Sequence, residues 1–396
     1  MKLRPHFAIL AASLLLAASA RGEDVASLTA SVRAVEPRGH RHAPAISAAK
    51  SLAKLDGTHL IAVLEGMDGA GPLATNWLRS VVEVIVDREK AAGRKLPLTE
   101  LEKFMFDRSH SPRPRRLAYE LITAEDEAAG ASLIPKFIDD PSVELRREAV
   151  AQLLTEAEKA LKTDRPAAER LYRQALTAAR DDDQVRLAAD QLKTLGQPVD
   201  LARHFGFITR WKLVGPFDNT DKKGYPVAYP PEKELKLDAT YDGKTGKVGW
   251  IDHTTADEYG RVDVNKALGK SMGAAAYAVA TFRSPSDLAT EVRAGSSNAI
   301  KVWVNGALVY GVEIYHANVS MDQYIGSIRL RPGENTLLVK VLQNEQKDEW
   351  AQDWMFQLRI CDATGTPIQE APGTASVGPS AVDRDLVARQ ANGGER

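Results

Sequence analysis

One cysteine, Cys361, stands in 396 residues, so no intramolecular disulfide can staple the chain and its stability must come from burial. Cys361 closes the apolar run 355–360 and reads as a small buried hydrophobe. Asp362 beside it argues against a reactive thiol, which wants an electropositive setting. An excess of one charge is also missing. Fifty-two basic against 53 acidic residues leave a net charge of −1, which gives nucleic acid no basic face to bind. No apolar run reaches the roughly 20 residues that cross a bilayer as a helix. The eight histidines are scattered; without a His-Glu-x-x-His motif or a cysteine pair, zinc chemistry has no support. Gly66, Gly69 and Gly71 fit neither phosphate-loop spacing and read as an inter-helix turn.

What is present begins with a leader. Lys2 and Arg4 precede an apolar stretch at 7–18, and Ala18-Ser19-Ala20 fits a small-residue cleavage site. Residues 1–20 are therefore expected to be a signal peptide and the protein to be exported, periplasmic or extracellular. At 396 residues the chain has room for two full cores, at roughly 100–200 residues per domain.

From about residue 45 to 204 the pattern is helical. Gly71-Pro72 opens a helix running to Gly93, with Leu73, Trp77, Val81 and Ile85 four apart. Thr99 with Glu102 reads as a capping box. Asp140-Pro141 is expected to open a long helix striped by Leu145, Ala149, Leu153, Ala157 and Leu161. Further stripes are Leu171, Ala175, Ala179 and a helix over 185–195 that stops at Gly196. Arg113, Arg115 and Arg116 read as a solvated helix start.

Composition shifts at Phe205. Strands are expected at 211–214, broken by Gly215-Pro216, then at 247–251, 276–282, 288–292, 300–304, 308–310, 325–330, 336–342 and 354–360. Short strands at this spacing are the pattern of an antiparallel sandwich or jelly roll. Val302 and Val304 alternate with Trp303, which is expected in the core. Asn305-Gly306 then supplies the two residues that a type I′ hairpin turn needs. A Pro332-Gly333 turn precedes the strand at 336–342.

Several phrases carry a resemblance. The run Leu133 to Ala149, with Asp140 before Arg146, resembles the inter-helix turn of HEAT-type repeats, and 167–195 resembles a tetratricopeptide pair. The hairpin at 300–310 and the strand at 336–342 resemble a galactose-binding-like jelly roll. WKLVGPFDN (211–219), YPPEKEL (229–235), AYAVATFRSP (276–285), KVWVNG (301–306), YHANVSMDQY (315–324) and the run 342–362 are similar to a C-terminal domain in a group of large secreted bacterial proteins. In that group the domain often follows HEAT-like helices, and no activity is assigned to it. The resemblance implies an α + β multidomain chain: signal peptide 1–20, flexible segment 21–44, an α-solenoid or HEAT-like domain 45–204, a galactose-binding-like β-sandwich 205–365 and a disordered tail 366–396. The tail is rich in Ala, Gly, Pro and Ser.

The chemistry is that of binding. Gly269-Lys270-Ser271-Met272-Gly273 matches the hydrolase nucleophile pattern, but the residues after it alternate like a strand, where the elbow needs a helix. No catalytic residue is assigned. The run 344–354 places Asn344, Glu345, Asp348, Glu349 and Asp353 beside Trp350 and Trp354, an aromatic face with carboxylates and amides for sugar hydroxyls. Trp354 reads as core. Trp350, Glu345, Asp348, Asn344, Tyr315 and His316 are the candidate ligand-binding residues. Galactose-binding-like folds often hold a structural calcium, and the resemblance offers Asp322, Glu345 and Asp348 as its ligands, although calcium takes six to eight oxygens. The expected role is non-catalytic recognition of a carbohydrate or envelope glycan, with protein contacts on the helices. The alternatives are a structural envelope protein binding only proteins, or an accessory module of a glycoside-acting enzyme, for which no carboxylate pair at the spacing of about 5.5 Å or 6.5–9.5 Å is evident.

Overall fold

The computed structural model describes residues 25–370. The expected signal peptide and all of the tail beyond residue 370 lie outside them. The chain divides into two compact units, one up to Val199 and one from Asp200.

The first unit is helical. Residues 25–33 form α1, followed by α2 (His42–Leu52), α3 (Leu60–Glu65), α4 (Pro72–Ala91), α5 (Leu98–Phe106), α6 (Pro112–Glu125), α7 (Glu127–Leu133), α8 (Val143–Leu161), α9 (Arg165–Ala178) and α10 (Asp182–Thr194). Val25 and Val32 are buried in the same core as Leu52, Leu78 and Ile85, so residues 25–33 of the segment expected to be flexible are a helix anchored by packing. No side chain caps α5; Pro97 is its N-cap, and Thr99 lies inside the helix, so no capping box forms. Pro141 precedes the cap of α8, where Ser142 accepts from the Leu145 N–H.

Arg115, expected in solvent, is fully buried. Its guanidinium meets the Asp140 carboxylate at 2.9 and 2.6 Å, and its Nε donates to the Met105 carbonyl at 2.7 Å. The planar fork satisfies two carboxylate oxygens and a helix-end carbonyl together. A charge run alone could not show this, because its partner lies 25 residues on, in the turn before α8.

The second unit opens with α11 (Leu201–Phe205) and is built from β1 (Arg210–Asp218), β2 (Thr240–Asp242), β3 (Lys247–Gly249), β4 (Ile251–Thr254), β5 (Val262–Asp263), β6 (Ala274–Ser284), β7 (Leu288–Ser296), β8 (Ala299–Val304), β9 (Ala307–Val312), β10 (Tyr324–Leu330), β11 (Gly333–Gln343) and β12 (Met355–Cys361). Among the described residues they form a six-stranded sheet, β4-β1-β6-β11-β8-β9, a four-stranded sheet, β10-β7-β12-β5, and the β2-β3 ribbon. All nine pairings of adjacent strands given by register are antiparallel in the two larger sheets and the ribbon alike, β6 with β11 being the longest. Val302, Val339 and Ala278 of the first sheet share one core with Val292, Phe356, Leu358 and Ile360 of the second. The unit is a β-sandwich.

Asn305 (φ 52°) and Gly306 (φ 80°) both take the left-handed conformation at the β8-β9 turn. Trp303 corrects the expectation. Alternation sends Val302 and Val304 inward, so Trp303 lies half-buried on the outer face of the six-stranded sheet. There it joins Phe217, Tyr277, Leu338 and the partly buried Tyr225, Tyr229 and Trp250 in a second apolar layer. Gly215-Pro216 does not end β1. Proline cannot donate to the ladder, so the register with β6 shifts between Val214 and Phe217 and pairing resumes at Phe217–Ala275.

Ser271 sits between α12 (Val264–Leu268) and β6, without a following helix. Cys361 is buried, as read. The chain past 365 stays on the sandwich to residue 370: Ile368 N–H donates to the Ile360 carbonyl at 3.0 Å. Among the described residues no helix is long and apolar enough to cross a membrane.

Candidate functional site

The candidate site is a cleft of about 380 Å³ in the β-sandwich unit, lined by Arg261, Ser297, His316, Asn318, Trp350 and Asp353, with their neighbours. Trp350 stands on a single 3₁₀ turn, Glu349–Ala351, and is 71% exposed. Trp354, four residues on, is fully buried in the sandwich core. A large aromatic left in water on an ordered turn is informative in a way that a buried one is not.

The other wall comes from the loop after β9. His316 adopts φ 63° and places its ring edge-on to Trp350, centroids 5.7 Å apart at 70°. Both ring nitrogens of His316 are buried and have no hydrogen-bond partner among the described residues. Buried Asn298 ties the walls together. Its Oδ1 accepts from the His316 N–H at 3.1 Å and its Nδ2 donates to the Asp353 carbonyl at 2.6 Å. Ser297 Oγ donates to the same carbonyl at 2.9 Å, and Ala317 N–H bonds the Ser297 carbonyl at 2.9 Å.

The six sequence-derived candidates separate. Trp350 and His316 meet at the cleft. Tyr315 turns to the outer apolar layer, where its hydroxyl accepts from Asn219 Nδ2 at 3.3 Å and Lys222 Nζ sits 5.0 Å from its ring centre. Burial raises its phenol above the usual range. Asn344 is buried; its carbonyl accepts from Gly273 N–H at 3.0 Å, and its side-chain oxygen has no partner among the described residues. Glu345 is exposed and accepts from the Asp221 N–H at 2.7 Å. Asp348 is exposed at the start of the Trp350 turn, its carbonyl accepting from Ala351 N–H at 2.9 Å.

The proposed calcium ligands do not fit a cation site. Asp322 is enclosed by two guanidinium groups, Arg359 at 2.5 Å and Arg293 at 2.7 Å. Both carboxylate oxygens are engaged, and two neighbouring positive charges repel a metal ion. Burial pushes the Asp322 carboxyl up, yet the hydrogen bonds and charges of Arg359 and Arg293 outweigh it and hold it below the usual value. Among the described residues no group of three or more His, Cys, Asp or Glu side chains is placed to hold a metal.

Arg261 and Asn298 escaped the sequence reading. Arg261 precedes β5 and Asn298 sits in the β7-β8 turn, both distant in sequence from Trp350. Neither carries a motif; only the fold assembles them with the 344–354 run.

No family model matches the chain, and no curated protein matches it. Among solved structures it is similar to a GH2 β-galacturonidase from Eisenbergiella tayi bound to glycerol, at 12% identity and TM-score 0.23 over 39% of this chain and 25% of that one. It is also similar to an anti-sigma factor domain-containing protein from Clostridium clariflavum, at 11% identity and TM-score 0.24 over 43% of this chain and 50% of that one. A third likeness is to a family 35 carbohydrate binding module from an environmental isolate, at 12% identity and TM-score 0.19 over 42% of this chain and 93% of that one. The chain thus spans half or less of the length of the first two. At these TM-scores the likenesses carry no argument about function.

Proposed function

We propose that this is an exported, non-catalytic binding protein whose β-sandwich holds a carbohydrate at the Trp350 cleft. The observation that carries the reading is Trp350 itself, 71% exposed at the rim of a cleft of about 380 Å³. That volume lies within the roughly 300–1,000 Å³ of small-ligand sites. An indole face offers apolar area to the C–H face of a sugar ring, while neighbouring polar groups take the hydroxyls. His316 braces the indole from its edge, and Asp353 offers an exposed carboxylate.

On the same proposal the sandwich is a galactose-binding-like jelly roll following a HEAT-like α-solenoid. The Arg115–Asp140 pair and the Arg147–Asp183 pair, at 2.6 Å, support the second part, since each links one helix to the start of a later one as stacked repeats do. The helical unit would then supply protein contacts. Export rests on the leader pattern of residues 1–20.

A second reading, an envelope protein that binds only proteins, draws on Leu308 of β9 and Ile325 of β10, which are 56% and 53% exposed. One experiment separates the two. The full chain is passed over immobilised neutral and acidic polysaccharides, with and without chelator. Chelator-insensitive retention on at least one polymer, abolished in Trp350→Ala, is expected. No retention on any polymer overturns the carbohydrate reading.

A further inference from the structure

We infer that the sugar bound at this cleft is acidic, a uronic acid whose carboxylate is held by the Arg261 guanidinium. The inference rests on the carbohydrate reading of the same cleft and narrows its ligand class.

Arg261 is half-buried and lines the cleft. Its Nε is buried and has no acceptor among the described residues. Its guanidinium lies 5.2 Å from the centre of the Tyr259 ring, which supports it without neutralising it. Its backbone is fixed on both sides: the N–H donates to Asp257 Oδ1 at 3.2 Å and the carbonyl accepts from Thr255 Oγ1 at 2.6 Å. The other arginines of the β unit that are not exposed behave differently. Arg283 pairs with Glu334, Arg293 with Glu291 and Asp322, and Arg359 with Asp322. Arg261 alone among them, within the described residues, has no carboxylate.

A held, partly desolvated guanidinium that lines the cleft without a counter-ion fits a carboxylate, which it can engage with two parallel hydrogen bonds. A neutral sugar would leave that charge uncompensated in a site it desolvates further. The cleft also holds Asp353, whose exposed carboxylate forms no ion pair with Arg261 or with any other described residue. The site therefore keeps a fixed cation and a fixed anion apart. A uronic acid answers both, with its carboxylate on Arg261, its hydroxyls donating to Asp353 and its ring against Trp350.

The test uses the full chain against polygalacturonate, alginate and glucuronoxylan, each compared with its carboxyl-reduced form, in which the acid becomes a neutral alcohol and the ring is kept. Affinity for at least one polymer is expected to fall tenfold or more on reduction. Arg261→Gln should show the same fall towards the unreduced polymer, with an unchanged melting temperature, and Trp350→Ala should weaken binding of both forms. Equal affinity for acid and reduced polymer overturns the inference whatever the arginine variant does. Trp350-dependent binding confined to neutral polymers leaves the carbohydrate reading standing and removes the acidic one. Failure to bind any polymer removes both.

Discussion

Asn298 hydrogen-bonds His316 through the backbone N–H, at 3.1 Å, while its own amide reaches the Asp353 carbonyl at 2.6 Å. One buried side chain thus sets the distance between the histidine wall and the Trp350 turn. Asn298→Ala leaves the part-buried His316 N–H unpaired and deprives the Asp353 carbonyl of one of its two side-chain donors, at a cost of about 1–3 kcal/mol. The melting temperature should fall, and polysaccharide affinity should fall further than that of an equally destabilised variant elsewhere. A variant that melts lower yet binds normally would show that the walls position themselves without it.

Asp322 is expected to be the most sensitive carboxylate of the β unit. Asp322→Ala leaves Arg293 and Arg359 together without their shared partner, a loss on the order of 3 kcal/mol. Because the Asp322 carboxyl is held below its usual value, its stabilisation is complete above the unfolded value of about 3.9 and disappears as the pH falls through the folded one. Denaturation at a series of pH values should therefore show a gap between the native chain and Asp322→Ala that is full at pH 7 and closes below about pH 4. Added calcium should change neither protein. A calcium-dependent rise in melting temperature would restore the cation site that the two arginines exclude.

The helical unit has a comparable weak point. Asp140→Ala strands the fully buried Arg115 and should cost about 3–5 kcal/mol, read as early loss of the helical circular-dichroism signal on heating. Arg113→Ala, on the neighbouring exposed position, should change little. Equal effects would mean that the Arg115 contact is not what holds α6 to the turn before α8.

Cys361 is the one thiol of the chain, and burial pushes it up to about 11. At pH 8 it should stay unlabelled by a thiol-specific disulfide reagent in the native protein and react with one equivalent once unfolded. Rapid labelling of the native chain would place it at the surface.

Much of the sandwich was legible because its signals are local. The β8 alternation, the Asn305-Gly306 turn and the apolar runs of β6, β11 and β12 each declare a strand within a few residues. Which face a side chain takes was less legible. Trp303 alternates with core valines, and only the second apolar layer explains an aromatic residue on the outer face. That layer is built by the 219–250 segment, held down by fully buried Lys340, whose Nζ donates to the Val227 and Gly224 carbonyls at 2.6 and 3.0 Å and to Glu232 at 2.9 Å. Charged residues mislead most, because partners decide their fate. Arg115 looked solvated and is buried; Asp322 looked like a metal ligand and is an arginine's counter-ion. Trp350 and His316 could be named in advance because each is distinctive by type. Arg261 and Asn298 are ordinary residues made significant by the fold.

The measurement closest to the central claim is a calorimetric titration of the full chain and of Trp350→Ala with an oligosaccharide from whichever polymer is retained. The exposed indole carries little of the fold, so both proteins should melt within about 2 °C of each other, as surface substitutions do. If Trp350 is the platform, its loss should weaken binding about thirtyfold, the scale of an interface hot spot of about 2 kcal/mol. Equal affinity in the two proteins would place the sugar elsewhere and contradict the account.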